Sequence, residues 1–307
     1  MTRGEGVIDQ PSVSAIRCIE LNVPDLEKSA RFYEDVWCLA PVARDNGSCY
    51  LRGTGAEHNT VVLHGDAKLA VAAIGFAAPG KAAVDGLHAR VKGSGATLLS
   101  DPAALERPGG GYGFSLLHPE GWTVSISSDV QEHGDAEDAI DRPRRFSHVA
   151  LGAEDAEAAC AFMIDNFGFR ISDRNGVINF LRCDANHHSI AFAQTGAAFV
   201  HHVSYEMPGF DAVMRGAGRL KEMGYPLEWG VGRHGPGDNI FSYFIEPNGF
   251  MNEYTAEMHQ VDEATYKTGT PEEWDRPANR RDQWGFSDPP TEAMKKTQAS
   301  QALLPAG

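Results

Sequence analysis

The sequence predicts an α+β fold of two tandem domains, each made of paired βαβββ modules that form curved, partly closed mixed sheets. Its 307 residues suit two domains better than one, since a domain commonly holds roughly 100 to 200 residues. The chain also resembles itself: residues 30–47 align with 160–176, and residues 118–127 align with 246–255. A duplicated set of strands and helices accounts for this similarity.

Hydrophobic periodicity and turn residues divide each half into two units, each with a strand, a helix and further strands. The first helix begins at Pro24 and Asp25, a typical helix start, and turns Phe32 and Tyr33 toward the core. The third unit starts at Phe146 and the fourth at Phe199. The predicted strands of the first half are 15–21, 48–52, 60–64, 69–76, 113–118 and 123–127, and its helices are 23–36 and 82–93.

Two polar stretches mark the boundaries of the domains. Residues 127–145 are polar and acidic without an apolar period, and the chain becomes polar again after Met258. The polar tail holds Trp274 and Trp284, so we expect it to pack over the second domain and to be loose at its end. The expected parts are a domain at 1–132, a linker at 133–145, a domain at 146–260 and a tail at 261–307.

Charge and composition argue against several classes of protein. The formal net charge is −15 and no dense stripe of Lys and Arg offsets it, so no nucleic-acid partner is expected. No run approaches the ~20 apolar residues of a membrane helix, and the first residues lack the apolar segment of a signal peptide. The five cysteines are scattered, which indicates reduced thiols. We expect a cytoplasmic protein without a membrane partner that forms a homo-oligomer.

The second half carries three residues that bind metals: His148, His202 and Glu253. Each lies at the matching edge of a repeated unit. Two imidazoles and one carboxylate that leave part of a metal open are typical of non-haem Fe(II) enzymes that activate O₂. Their counterparts in the first half cannot hold a metal together, and these are Cys18, Ala73 and Ser125. The sequence therefore predicts a metal site in the second half alone.

Strand alternation explains how the three side chains converge, because successive side chains point to opposite faces. His148 and His202 are predicted to start equivalent strands of units three and four, and Glu253 to close the last strand. Pairing of these units in one curved sheet then brings the three together. His201 and His202 cannot both point inward, and we choose His202 because Val-Ser-Tyr after it matches Val-Ala-Leu after His148.

Residues 232–253 hold a further pattern, with His234, then Tyr243 nine residues later, then Glu253 ten residues after that. This spacing resembles the signature of the type I extradiol ring-cleaving dioxygenases, the catechol 2,3-dioxygenase-like enzymes of the vicinal oxygen chelate superfamily. Ser242 and Asn252 depart from it, since the family usually has apolar residues there. The first half matches the family only in its repeat pattern.

Two other stretches extend the resemblance. NHHSIAFA at 186–193 is similar to the stretch that carries the family's acid–base histidine, here His188. NRRDQWG at 279–285 is similar to the tail of the homoprotocatechuate 2,3-dioxygenase branch, where an arginine reaches the site, here Arg281. The tail would accordingly pack over the active site.

The resemblance implies an Fe(II) enzyme, with Mn(II) as an alternative metal, that inserts both atoms of O₂ into a catechol-type vicinal diol and cleaves the ring beside the hydroxyls. It implies that His188 acts as acid and base. It also implies that His234 and Tyr243 donate hydrogen bonds to the substrate oxygen, and that Arg281 binds the substrate. O₂ is then the co-substrate of a small catechol-type molecule.

Two alternatives stay open at this point. One is a glyoxalase-like isomerase or lyase that uses Ni, Zn or Mn on the same scaffold, which a fourth protein ligand would favour. The other is a non-catalytic protein of this fold that sequesters a ligand, which needs no metal triad. His148→Ala should abolish ring cleavage by a dioxygenase, and unchanged oxygen uptake on catechols would contradict that function.

Overall fold

The structure is a computed structural model that describes residues 11–274 and 281–300, and it contains one mixed β-sheet in each half of the chain. The first half holds β1 (Ala15–Val23), α1 (Leu26–Arg31), β2 (Ala40–Asp45), β3 (Ser48–Arg52), β4 (Val61–Gly65), β5 (Ala70–Ala77), α2 (Lys81–Ser94), β6 (Thr97–Leu98), β7 (Ala103–Ala104), β8 (Tyr112–Leu117) and β9 (Thr123–Ser128). The second half holds β10 (Arg145–Ala153), α3 (Ala156–Phe167), β11 (Arg170–Arg174), β12 (Ile178–Arg182), β13 (Ile190–Gln194), β14 (Phe199–Glu206), α4 (Phe210–Glu222), β15 (Trp229–Arg233), β16 (Ile240–Ile245) and β17 (Met251–Ala256). The tail adds α5 (Pro271–Trp274) and α6 (Glu292–Ser300).

The two sheets repeat one topology. The first has the strand order β2-β3-β4-β1-β5-β9-β8-β6, with β7 paired to β8, and the second has the order β11-β12-β13-β10-β14-β17-β16-β15. In each sheet the first strands of the two units pair antiparallel, β1 with β5 and β10 with β14, and so join two modules. Each module has four strands, except that β7 adds a fifth to the second module of the first sheet. The predicted α+β class and the paired modules are confirmed. Among the described residues the end strands of a sheet do not pair with each other, so both sheets stay open.

The repeat also holds in the register of the strands. In each sheet the first strand of the second unit lies between two neighbouring strands. A small residue on this strand pairs with one residue on each neighbour. The matching sets are Cys18, Gly75 and Ser125 in the first sheet, and His148, Ser204 and Glu253 in the second. Ala73 and His202 are equivalent in the same way, because they pair with Glu20 and Ala150. The counterparts assigned from the sequence are therefore structural counterparts.

Helix α1 begins as its sequence predicts and ends in a way that it does not. The Asp25 side chain accepts a hydrogen bond from the backbone N–H of Lys28 and caps the helix. The helix continues into a π-helical turn over Phe32–Val36, where the Trp37 N–H bonds to the carbonyl of Phe32. This wider turn stacks the Phe32 and Trp37 rings, with centroids 5.7 Å apart, inside the core.

Each half packs its first helix against the other half. Trp37 follows the π-helical turn that extends α1, and it stacks on Tyr254 of β17 with ring centroids 3.8 Å apart. Phe162 of α3 makes an edge-to-face contact with His118 of the first half, at 4.7 Å. One continuous hydrophobic core therefore runs through both halves.

Truncation of Trp37 to Ala should destabilise the whole molecule. The ring is fully buried at this junction, and removal of a buried Trp typically lowers the free energy of unfolding by about 3–5 kcal/mol. The measurement is urea unfolding at 25 °C. Trp284 is the control, since its side chain is 44% exposed and Trp284→Ala should cost about 1 kcal/mol or less. Equal losses in the two variants would contradict the role of Trp37.

Asn252 explains one departure from the family pattern. It lies beside Glu253 on β17 but points to the opposite face, toward the π-helical turn that follows α1. Its amide donates to the Tyr33 hydroxyl at 3.1 Å, and its carbonyl accepts from the same hydroxyl at 3.3 Å. The polar side chain is thus fully buried and hydrogen-bonded across the junction of the halves.

The tail contains regular secondary structure. It contains α5 and the nine-residue helix α6, and Met294 of α6 packs against Phe241, Tyr243 and Met251. The predicted loose end beyond residue 300 and Asn279 of the tail motif lie outside the described residues. All five cysteines are free, as predicted. In the described part of the chain, no helix is long and apolar enough to cross a membrane.

Candidate metal centre

The register of three strands brings the predicted ligands to one face. His148 on β10 and Glu253 on β17 both pair with Ser204, which lies on β14 between them. Paired residues point to the same side, and His202 shares that side because it lies two residues from Ser204. The small Ser204 leaves room for the His148 and Glu253 side chains to meet above it. The two His were expected at strand starts and Glu253 at a strand end, but all three lie inside their strands.

The three ligand atoms form a nearly equilateral triangle. The Nε2 of His148 lies 3.0 Å from Oε2 of Glu253, the Nε2 of His202 lies 3.3 Å from the same oxygen, and the two Nε2 atoms are 3.1 Å apart. Ligands about 2.1 Å from an octahedral ion lie roughly 3.0 Å apart when they are neighbours. The triangle therefore fits one face of such an ion and leaves its other face to non-protein ligands.

Burial and charge suit a cation at this point. His148, His202 and Glu253 are 2%, 7% and 0% exposed, and neither Glu253 oxygen has a hydrogen-bond donor in ideal geometry among the described residues. Burial lowers the pKa of His148, which favours the neutral imidazole that binds metals. Burial alone would raise the pKa of Glu253, but the neighbouring imidazoles hold it well below its ordinary value. A buried carboxylate in this state calls for a positive partner.

His201, the neighbour of His202, has a different position. Its Nδ1 lies 2.8 Å from Nδ1 of His202, so it contacts the ring on the side away from the triad. The Gln298 side chain of α6 donates to the His201 ring at 3.1 Å from Nε2. The structure thus groups His202, and not His201, with His148 and Glu253, and it links the tail helix to a ligand through His201.

His188 lies beside the triad. Its ring makes an edge-to-face contact with the His148 ring, with centroids 4.3 Å apart, and its Nδ1 lies 3.0 Å from Nδ1 of His187. Both His187 and His188 are buried. Burial holds the pKa of His188 well below its ordinary value, and the nearby imidazoles act in the same direction. A neutral imidazole at this place can accept or donate one proton.

His234 and Tyr243 also lie beside the triad. Tyr243 on β16 pairs directly with Glu253, and its hydroxyl lies 3.0 Å from Nε2 of His234. The same Nε2 is 3.6 Å from Oε1 of Glu253. Burial and the Glu253 charge raise the pKa of Tyr243 well above its ordinary value, so the phenol keeps its proton and can donate it in a hydrogen bond.

Arg281 lies further out than the other candidates. Its side chain is exposed, and it has no hydrogen bond to the triad among the described residues. Its charge nevertheless acts on His201, whose pKa is lowered to about 3, mainly by burial and next by His202. The positive charge is thus near the site on the side covered by α6.

The chain is similar to known proteins in both sequence and structure. A family model described as the Glyoxalase/Bleomycin resistance protein/Dioxygenase superfamily matches residues 145–254, which contain the whole triad. The crystal structure of the Mn(II)-bound glyoxalase from Novosphingobium aromaticivorans is 37% identical, with a TM-score of 0.86, over 92% of this chain and 94% of that one. The chain belongs to this superfamily. The vicinal oxygen chelate resemblance of the sequence is thereby confirmed.

Two relatives within the superfamily have dioxygenase-related names. Metapyrocatechase 2 of Cupriavidus necator is 30% identical over 199 residues, 57% of this chain and 61% of that protein, so the chain spans about three fifths of its length. The manganese-dependent 2,3-dihydroxybiphenyl 1,2-dioxygenase of Geobacillus genomosp. 3 is 25% identical over 254 residues, 75% of this chain and 80% of that protein.

The first half of this superfamily member has a cavity where the second has the triad. The cavity, of about 370 Å³, is lined by Ala73 and Ser125, the counterparts of His202 and Glu253. Glu20 also lines it and forms an ion pair with Arg107 at 2.6 Å. No group of three metal-binding side chains other than the triad occurs in the described residues. The described part of the first half therefore has a cavity at the equivalent place but no matching set of ligands.

The sequence did not indicate several residues of the site. Asp173, His187 and Gln298 contact site histidines, yet none falls in the motif at 232–253. The His-His doublets at 187–188 and 201–202 were the available signal. In each doublet one imidazole belongs to the triad or contacts it, and the other imidazole contacts the first from the side away from the triad.

Proposed function

We propose that the chain is an extradiol ring-cleaving dioxygenase that uses Fe(II), with Mn(II) as the alternative metal, and O₂ as co-substrate. The supporting observation is the triangle of His148, His202 and Glu253, which offers three buried ligand atoms and leaves one face of a divalent ion open. The two relatives with dioxygenase-related names support the same reaction class.

The proposed substrate is a catechol-type vicinal diol. Two adjacent hydroxyls are the chemical group that would chelate a divalent metal held beside these residues. A bound divalent metal would supply Lewis acidity toward the diol oxygens and one-electron chemistry toward O₂. His148, His202 and Glu253 would hold it.

The other residues bind, orient and exchange protons. His188 would hold or accept a proton at Nε2, beside His148. Tyr243, held by His234, would donate a hydrogen bond to a substrate oxygen as negative charge develops there. Arg281 would attract the substrate to the face that α6 borders. The burial of the triad excludes bulk water and strengthens these interactions.

The test is oxygen uptake by protein purified anaerobically and loaded with Fe(II) or Mn(II). We expect uptake of one O₂ per diol and a yellow ring-opened product with at least one catechol. A 1,3-diol of the same ring is the control, because its hydroxyls cannot chelate one metal, and it should give no uptake. Absence of uptake across a catechol panel, with the metal shown to be bound, would overturn the proposal.

A glyoxalase-type isomerase is the second candidate, because the Mn(II)-bound glyoxalase matches nearly the full chain at 37% identity. Such a reaction rearranges its substrate and consumes no O₂. The described residues supply three ligands at the centre, His148, His202 and Glu253, whereas a fourth would favour the isomerase. Product formation without oxygen uptake would assign the site to this second function.

A further inference from the structure

A row of three buried side chains leads from the edge of the second sheet to His188. Asp173 on β11 places Oδ2 3.0 Å from Nε2 of His187, and Nδ1 of His187 lies 3.0 Å from Nδ1 of His188. Asp173, His187 and His188 are 2%, 1% and 4% exposed. A buried carboxylate and two buried imidazoles in line have few ways to distribute their protons.

The Asp173 carboxylate is held in place by donors from the tail. Its Oδ1 accepts hydrogen bonds from the Tyr266 hydroxyl at 3.0 Å and from the Gly269 N–H at 2.6 Å. An irregularity in the pairing of β11 with β12 falls between Ile171 and Asp173, and bulges of this kind re-aim a side chain. Oδ2 is left for His187.

The protons of the row follow from this arrangement. An ionised carboxylate only accepts hydrogen bonds, so Nε2 of His187 must carry a proton to lie 3.0 Å from Oδ2, although the contact is not ideally aligned. If that proton is the only one on the His187 ring, Nδ1 keeps a lone pair. Nδ1 of His188, at 3.0 Å, is then the donor of that contact. His188 is then left with a lone pair on Nε2.

We infer that Asp173 and His187 are positioning residues that fix His188 as its Nδ1–H tautomer and leave Nε2 as a hydrogen-bond acceptor. Nε2 has no hydrogen-bond partner among the residues that the structure describes, so it is available to a ligand. A consequence, which rests on the proposed function, is that the substrate donates a hydrogen bond to Nε2 of His188. A diol hydroxyl is such a donor.

The first half, which has no metal triad, also lacks the row of Asp173, His187 and His188. The strand register makes His58 and Asn59 the counterparts of His187 and His188, and Ala43 the counterpart of Asp173. His58 and Asn59 keep the contact between neighbours, with Nδ1 and Oδ1 3.0 Å apart. The half without a triad therefore lacks the carboxylate as well as the second imidazole.

The direct test is ¹⁵N NMR of histidine tautomers in the Zn(II)-loaded protein, which is diamagnetic. Loss of one signal set in His187→Asn and in His188→Asn assigns the two rings. We expect His187 as the Nε2–H tautomer and His188 as the Nδ1–H tautomer. In Asp173→Asn the amide can donate as well as accept, so the tautomer of His188 should become mixed. A His188 ring in the Nε2–H form in the wild type, or an unchanged tautomer in Asp173→Asn, would overturn the inference.

Activity gives a second readout with matched controls. Asp173→Asn should lower kcat by about 10- to 100-fold and change KM for the diol by less than about threefold. Tyr266→Phe removes one donor but keeps the carboxylate, and Asp184→Asn removes a carboxylate of the same region that bonds to Asn186. Both should keep the tautomer and the wild-type kcat within about threefold. Equal losses of kcat in Tyr266→Phe and Asp173→Asn would show that Asp173 acts by holding the tail in place and not by fixing the tautomer of His188.

His187→Phe covers the case in which Asp173→Asn fails to fold, because it keeps an aromatic ring and removes the acceptor for Nδ1 of His188. It should also give a mixed tautomer, and a pure Nδ1–H form would count against the inference. The tautomers are measured without turnover. If they are as expected but no diol is cleaved by the Fe(II) or Mn(II) protein, the proposed function fails and the assignment of protons stands.

Discussion

Replacement of His148 by Ala is expected to remove the bound metal and to lower kcat/KM for ring cleavage by at least about a thousandfold, or ~4 kcal/mol of transition-state stabilisation. His148 supplies one corner of the ligand triangle and lies 3.0 Å from Oε2 of Glu253. Without it, two ligands remain and the buried carboxylate loses its nearest imidazole. Metal analysis of the purified protein and oxygen uptake measure the two effects.

The duplicated fold supplies a matched control for this variant. Cys18 occupies the equivalent buried strand position in the first half, and Cys18→Ala should keep the metal content and kcat/KM within about twofold. Glu253→Gln keeps the side-chain volume and removes the charge, so it separates loss of ligation from loss of packing. Full metal content and turnover in both His148→Ala and Glu253→Gln would rule out the triad as the metal site.

Replacement of His188 by Asn should leave the metal in place and reduce turnover. His188 touches the His148 ring but is not part of the ligand triangle, so the metal content should match that of the wild type. A positioned acid–base group commonly contributes about 10²- to 10⁴-fold to a rate, and kcat should fall within that range. KM for the diol should change by less than about threefold, since the ligands that bind it are intact.

Asn59 is the natural control, because the first half already has an asparagine at the equivalent position. Asn59→Ala should leave kcat unchanged within about twofold. Steady-state oxygen uptake at saturating O₂ separates kcat from KM in both variants. A His188→Asn protein with wild-type kcat would exclude His188 from proton transfer.

The triad could be derived from the sequence because the repeat fixed its register. His148, His202 and Glu253 were compared with counterparts in the other half, and strand alternation then selected one face. The strands pair with the register that this comparison requires. The ends of the strands do not follow from the sequence, because they depend on hydrogen bonds that residue type does not determine.

The contacts behind the triad could not be derived in the same way. Asp173 reaches His187 because of an irregular pairing of β11 with β12, and no local residue pattern marks such a bulge. The tail helix α6 has a single buried apolar residue, Met294, so its periodicity gave no helix signal. The π-helical turn at Phe32–Val36 depends on Trp37 reaching Tyr254 in the other half, which is a tertiary contact.

The π-helical turn after α1 packs onto the second sheet, beside the strand that carries Glu253. Tyr33 holds Asn252, and Trp37 holds Tyr254, so the backbone on either side of Glu253 is supported by residues from the half without ligands. Natural or random substitutions that impair catalysis should therefore cluster in two separate stretches of sequence, one around the ligands and one near residues 29–37. The half without the ligand triad therefore supports the strand that carries Glu253.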